Sequence, residues 1–276
     1  ARVEITVVDT TQPPPPPPDS TPPPAGLVFL ADWDSGLGTG TTAFTDGGEF
    51  VEFGGGADRG GFEVKSTSVQ GRDYRTPNYL QIAMVNNQDW IDMTSRNWGT
   101  PQVGQTVTAT WEMRWTSNVG GQSTHGFYFD DDFGGTNWGP NTLGLSIEDS
   151  GDQWQFGVWV GPSANPGPGP LRVPERFSLT KGERYDVALW YVRTGANTFR
   201  AGFAVGQGGL VLYDSGDFCD YDWYSGDRCL DTLEFSLSGA GAQGMRGFRL
   251  GNNGLDNPFT GPIVEVANLR VDLVRP

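Results

Sequence analysis

The chain has 276 residues, of which 41 are glycine and 20 proline, against only 18 lysines and arginines. That mixture excludes a helical bundle, which needs long runs of Ala, Leu, Glu and Lys, and the length permits one large β domain or two small ones with a sizeable core. A formal charge of −15 and a pI near 4.3 exclude a nucleic-acid partner, whose phosphates need clustered Lys and Arg, and disfavour an anionic membrane surface.

At the head of the chain, "RVEITVVD" alternates Val3, Ile5 and Val7 with Glu4, Thr6 and Val8, the period of a half-buried strand. Residues 1–10 are therefore expected to form an isolated β-strand, followed by a proline-rich linker over 11–25. Such a linker adopts polyproline II at about 3.1 Å per residue, so Gln12 to Pro24 would span roughly 40 Å and keep the strand from folding back locally. The wording "VEITVVDTTQP" resembles the last strand and exit of an extracellular Ig-like or cadherin-like repeat, which would make it the tail of an upstream domain. The alternative is assembly: Val3, Ile5 and Val7 would add to the sheet of another copy, building a fibre or coat by strand donation.

From Leu27 onward, about fourteen short strand-like runs recur between Gly, Asn and Asp turns, among them "TVTATWEMRWTS", "HGFYFD", "LGLSIED", "QWQFGVWVG" and "RYDVALWYVR". The segment "NQDWIDMTSRNWG" reads as a helix or a loop. Ten tryptophans, sixteen phenylalanines and eight tyrosines suit strands and ligand-facing surfaces. The expected architecture over 26–276 is all-β, a two-sheet antiparallel jelly-roll sandwich.

The succession from "GLVFLADWDSG" through "RFSLTKGERYDVALWYVRTGANTFRAGFAV" to "VEVANLRVDLV" resembles the concanavalin A-like lectin/glucanase (LamG-like) jelly roll. The resemblance implies a turn at Lys181, Gly182 and Tyr185, and a last strand lying beside the first. It also implies carbohydrate contact on a concave sheet face and, in some members, a structural calcium. The alternation puts Trp111, Met113 and Trp115, Tyr185, Val187, Leu189 and Tyr191, and Trp154, Phe156, Val158 and Val160 in the core. The opposite rows, Glu112 and Arg114, Trp190, and Gln153, Gln155 and Trp159, would together line one aromatic and polar trough. Indoles stack on sugar C–H faces while amides and carboxylates pair with hydroxyls.

Catalytic signatures are weaker. Retaining glucanases of the resembled family carry "E-x-D-x-x-E" on one strand, two carboxylates about 5 Å apart on one face, and no such strand occurs here. Lyase relatives carry "Q-x-H", where this chain has "QIA" from Gln81. A lyase reading would need His125 or Tyr128 as base and Arg114 as neutraliser.

Acid-rich stretches containing Asp130, Asp131 and Asp132, or Asp217, Asp220, Asp222, Asp227 and Asp231, offer oxygen ligands for calcium. Asp220, Asp222 and Asp227 are the preferred set. Cys219 and Cys229 suit a small disulfide-closed loop, worth roughly 3 kcal/mol, with two separate thiols as the alternative.

The sequence thus points to a non-catalytic domain of a larger extracellular protein, binding a polysaccharide or cell-surface glycan, with a fibre subunit and a polysaccharide lyase or hydrolase as alternatives. No apolar run approaches the roughly 18–20 residues that span a bilayer, so membrane insertion is not expected. With no signal-like stretch after Ala1, a mature, processed or excised product is expected, secreted or at the cell surface.

Overall fold

The computed structural model describes residues 26–31, 33, 43–44, 49–54, 62–82, 90–94, 99–116, 125–130, 141–148, 153–160, 171–214, 234–236, 245, 247–252 and 264–274. Every regular element among them is a strand. In chain order these are β1 (Leu27–Ala31), β2 (Ala43–Phe44), β3 (Glu49–Gly54), β4 (Phe62–Ser66), β5 (Asn78–Ile82) and β6 (Trp90–Thr94). Next come β7 (Thr106–Trp115), β8 (His125–Asp130), β9 (Asn141–Glu148), β10 (Gln153–Val160), β11 (Leu171–Ser178) and β12 (Arg184–Arg193). The last five are β13 (Thr198–Gln207), β14 (Leu210–Asp214), β15 (Glu234–Ser236), β16 (Gly247–Asn252) and β17 (Val264–Val274).

The strands form two sheets, and every pairing is antiparallel. A nine-stranded sheet runs β14-β13-β12-β7-β17-β5-β4, with β1 on β17 and β15 on β13; an eight-stranded sheet runs β11-β10-β9-β8-β16-β6-β3-β2. The last strand does lie beside the first, with Phe29 opposite Val271.

The core sits between the sheets because alternate residues of each strand are apolar. Trp111, Met113 and Trp115 of β7 and Tyr185, Val187, Leu189 and Tyr191 of β12 are buried there with Phe127, Phe129, Leu143, Phe248 and Leu250 of the facing sheet. Trp111 stacks on Phe127 with centroids 4.8 Å apart, and Phe129 meets Tyr191 edge-on at 5.1 Å. These are the favourable aromatic geometries.

Local sequence explains the turns and irregularities. Gly182 holds φ +83° in the Lys181–Gly182 turn and donates its N–H to the Trp115 carbonyl at 2.8 Å, while the Thr180 N–H donates to the Tyr185 hydroxyl at 2.7 Å. In β17 the register against β7 jumps between Ala267 and Arg270. Asn268 occupies the bulge at φ +49°, a left-handed conformation that asparagine tolerates. The extra residue keeps Val266, Leu269 and Val271 all in the core.

Two elements differ from the sequence expectation. "NQDWIDMTSRNWG" contains strand β6, because β3 and β16 pair with it on both sides and supply the partners that local propensity does not reveal. β11 contains Pro174, which fits only because β11 ends its sheet, where a residue without an N–H is tolerated.

Trp190 of β12 lies on the other face of its sheet, directly opposite Gly202 of β13, and a Cβ added at Gly202 would fall on the indole. Gly202→Ala should therefore displace Trp190 and lower the unfolding free energy by about 1–3 kcal/mol. Chemical denaturation of the variant beside the parent chain checks this.

Candidate functional site

A sandwich has two outer faces, and here they are built differently. On the nine-stranded sheet, Glu112 of β7 and Glu265 of β17 point away from the core yet are 0% exposed. The cover is the β4–β5 connection, residues 67–77. Its ends are tied by the Thr67 N–H to the Pro77 carbonyl at 2.7 Å and the Thr67 hydroxyl to the Thr76 carbonyl at 2.7 Å; inside, the Arg72 N–H donates to the Thr67 carbonyl at 2.8 Å.

This loop delivers cations to the carboxylates. Arg72 grips Glu265 with two nitrogens, Nη2 to Oε1 at 2.7 Å and Nε to Oε2 at 2.9 Å, and the Tyr74 hydroxyl donates to Glu265 Oε2 at 2.8 Å. Arg75 pairs with both Glu112 and Asp186, and its backbone N–H donates to Glu112 Oε2 at 3.0 Å. Arg114 bonds Asp73 at 2.5 Å and the Gly182 carbonyl, with Nε 3.8 Å from Glu265. Tyr74 and Tyr79 pack at 5.1 Å over Ala267.

Burial, reinforced by the neighbouring Glu265 charge, pushes the phenols of Tyr74 and Tyr79 above the ordinary tyrosine value. The hydrogen bond to Glu265 raises the Arg72 guanidinium in turn. Chemically this face is a closed ion-pair lattice.

The expected single trough does not form. Alternation correctly separates inward from outward residues, but β7 and β12 belong to one sheet and β10 to the other, so their outward rows lie on opposite sides of the molecule. Glu112 and Arg114 are committed to the lattice. Trp190, 9% exposed, packs with Ala188, Ala204 and Val192.

Gln153, Gln155 and Trp159 stand on the eight-stranded sheet, opposite Glu148, Ser146 and Thr142. Their positions alternate with those opposite the buried Leu143, which assigns them to that sheet's outer face. The same alternation about buried Phe127, Phe129, Phe248 and Leu250 assigns Tyr128 and Asp130 of β8 and Arg249 of β16 to this face. Through the β16–β6 and β6–β3 registers it adds Trp90, Asp92 and Glu52.

Between these positions the face is floored by glycine. Gly144 lies opposite Gly157 and Tyr128, Gly251 lies between Gly126 and Trp90, and Gly247 lies opposite Asp130. Glycine weakens a strand interior and marks places where another molecule approaches the backbone closely. Sequence reading missed Trp90, Asp92, Glu52 and Arg249. The available signal was the glycine at an outward position in "HGFYFD", "LGLSIE", "QWQFGVWV" and "GFRLGN" alike.

His125, opposite Ile147 and Asn252, shares the parity of buried Phe127 rather than that of Tyr128. Arg114, the cation expected beside Tyr128, is on the other sheet, and Arg249 occupies the position opposite Tyr128 instead.

Val3, Ile5 and Val7, Asp131 and Asp132, Asp217, Asp220, Asp222, Asp227 and Asp231, and Cys219 and Cys229 lie outside the described residues. Among the described residues no group of three or more His, Cys, Asp or Glu is placed to hold a metal ion. Among the described residues no helix is long and apolar enough to cross a membrane.

No protein-family model matches the chain, and no curated protein is similar to it in sequence. Solved structures do share its shape. An engineered GH43 glycoside hydrolase with endo-xylanase and exo-arabinofuranosidase activity superposes with a TM-score of 0.50 at 11% identity, covering 93% of this chain and 42% of its own. An alginate lyase bound to an alginate trisaccharide gives 0.47 at 14% identity, covering 91% and 99%. A carbohydrate-binding module of the evolved Dit of Lactobacillus casei BL23 phage J-1 gives 0.45 at 12% identity, covering 90% and 95%. At such identities the likeness is one of fold, the antiparallel β-sandwich.

Two measurements test the lattice. Arg72→Met leaves the fully buried Glu265 without its bidentate partner and should cost about 3 kcal/mol in denaturant unfolding. The raised phenols of Tyr74 and Tyr79 give a definite sign with pH. Their stabilising contribution is complete below the ordinary value of 10.0 and declines as pH rises past it, because the unfolded chain then releases protons that the folded chain retains. Unfolding midpoints between pH 8 and 11 should fall above pH 10, and less steeply in Tyr74→Phe.

Proposed function

We propose that this chain is a carbohydrate-binding jelly-roll domain of a larger extracellular protein, and that it takes a polysaccharide or cell-surface glycan on the outer face of the eight-stranded sheet. The observation that carries this reading is the glycine floor at Gly126, Gly144, Gly157 and Gly251, bordered in register by Trp90, Tyr128, Gln155 and Trp159. A floor without side chains lets a flat sugar ring approach the sheet. Indole and phenol rings at its borders match the C–H faces of pyranoses, and amides match their hydroxyls.

The opposite face supports the same assignment by its chemistry. Its buried carboxylates are already paired with arginines, and displacing those would strand buried charge. The net charge of −15 favours a partner other than a polyphosphate.

The test is a glycan array followed by titration of the best ligand. Trp159→Ala should weaken binding by roughly tenfold or more, as loss of a central aromatic anchor does. Gly144→Val should abolish binding while the chain stays folded, since valine favours a strand. Trp190→Ala should leave affinity unchanged and lower thermal stability. Loss of affinity in Trp190→Ala with none in Trp159→Ala would move the site to the nine-stranded sheet.

A further inference from the structure

A sheet edge is a row of backbone donors and acceptors that another strand can complete, and folded proteins blunt such edges with charge, proline, short strands or bulges. The outer strands of this sandwich are unequal in that respect. β11 contains Pro174 between Arg172 and Arg176, β4 carries the Glu63–Lys65 ion pair, and β3, partly covered by two-residue β2, contains Glu49 and Glu52. β1 keeps Val28, Phe29 and Ala31 buried, and β15 is three residues long.

β14 is built otherwise. It ends the nine-stranded sheet, has no proline, and reaches a charge only at its last residue, Asp214. Leu210 is 71% and Leu212 54% exposed. The register slip against β13 falls at Leu212, so the unpaired residue of the bulge is itself an exposed leucine. Among the described residues nothing pairs with the far side of β14.

We propose that β14 is an acceptor edge, completed by residues 2–9 of a second copy of this chain, so that copies join head to tail. The inference stands apart from the glycan reading: it uses a sheet edge and leaves the outer face of the eight-stranded sheet open on every copy.

The occupant follows from the sequence and from where its tether is anchored. Residues 2–9 carry Val3, Ile5 and Val7 at alternate positions, and the proline-rich run over 11–25 gives them no local partner. Eight residues are enough to cover the five of β14. The other end of the tether is fixed, because the Leu273 N–H donates to the Gly26 carbonyl at 2.6 Å and Leu27 lies opposite Asp272. From β1 across β17, β7, β12, β13 and β14 to the slot beyond is roughly 29 Å, at about 4.8 Å per strand. A polyproline II tether from Gln12 to Pro24 would span roughly 40 Å, which overshoots its own edge and reaches a neighbour's.

Main-chain hydrogen bonds would supply the affinity, with Leu210 and Leu212 as apolar neighbours for the added strand. Donor and acceptor are different parts of the surface, so the contact is heterologous and a row of copies can grow.

The experiment uses the full chain, with light scattering after size exclusion over a range of concentrations. The parent chain should form multimers that grow with concentration. Ile5→Pro, which spoils the donor, and Leu212→Lys, which charges the acceptor, should each be monomeric alone, with near-UV circular dichroism unchanged. Mixed in equal amounts, they should give a one-to-one dimer and nothing larger, because one retains the donor and the other the acceptor. Hydrogen exchange should show residues 2–9 of the Leu212→Lys chain protected only in that mixture. Leu210→Lys serves as a second acceptor variant should Leu212→Lys alter the fold.

A parent chain that stays monomeric overturns the inference, and a monomer whose residues 2–9 are protected shows the strand docked on its own subunit instead. Multimers that survive both substitutions, or a mixture that yields no dimer, also overturn it. Glycan affinity should be the same in all these variants, so the two readings fail separately.

Discussion

Two carboxylates that face away from the core yet touch no water set the terms for this molecule. Moving a charge out of solvent costs several kcal/mol, and only close, well-aligned partners offset that. Glu265 has a two-nitrogen grip from Arg72 and a hydroxyl from Tyr74; Glu112 has the Arg75 guanidinium and the Arg75 N–H. Bidentate, charge-assisted bonds of this kind fix orientation as well as energy. An eleven-residue connection between two short strands, tied internally by its own hydrogen bonds, is thereby held as a lid on the nine-stranded sheet.

That commitment divides the sandwich into two unlike sides. Over β7, β17 and β5 the nine-stranded sheet is sealed by ion pairs and the tilted Tyr74–Tyr79 pair; over β12 and β13 Trp190 rests opposite Gly202. The eight-stranded sheet carries no equivalent cover among the described residues. Its outward positions are glycine in the middle, with aromatic, amide and charged residues around them. The aromatic core fixes both sides at once. Trp111 and Phe248, on opposite sheets, sit 5.5 Å apart, so neither sheet can shift without breaking ring packing.

Much of the fold was legible because alternation is a local property. The inward rows of β7 and β12 follow from alternation over ten residues each, whereas the Lys181–Gly182 turn and the pairing of the terminal strands were implied by the family resemblance. Sheet membership is not local. Nothing in "TATWEMRW" or "QWQFGVWV" states that the first pairs with β12 and β17 and the second with β9 and β11, so Glu112 and Gln155 read alike while lying on opposite sides. β6 was obscured for the same reason, since its partners Val51, Phe53, Phe248 and Leu250 come from segments about 40 residues earlier and more than 150 later.

Pairing geometry also explains why neighbours on one face, such as Glu52, Asp92, Arg249 and Tyr128, come from distant parts of the sequence. Residues i and i+2 of one strand share a face about 6.8 Å apart, at roughly 3.4 Å per residue. Direct neighbours on adjacent strands share it at about 5 Å. Positions side by side on one face are therefore closer across a sheet than along a strand, and they are separated in sequence by whatever loop joins the two strands. In this chain the loop spans β4 and β5, whose place in the opposite sheet puts the sealing lid between the two halves of the row in sequence but on the far side of the molecule in space.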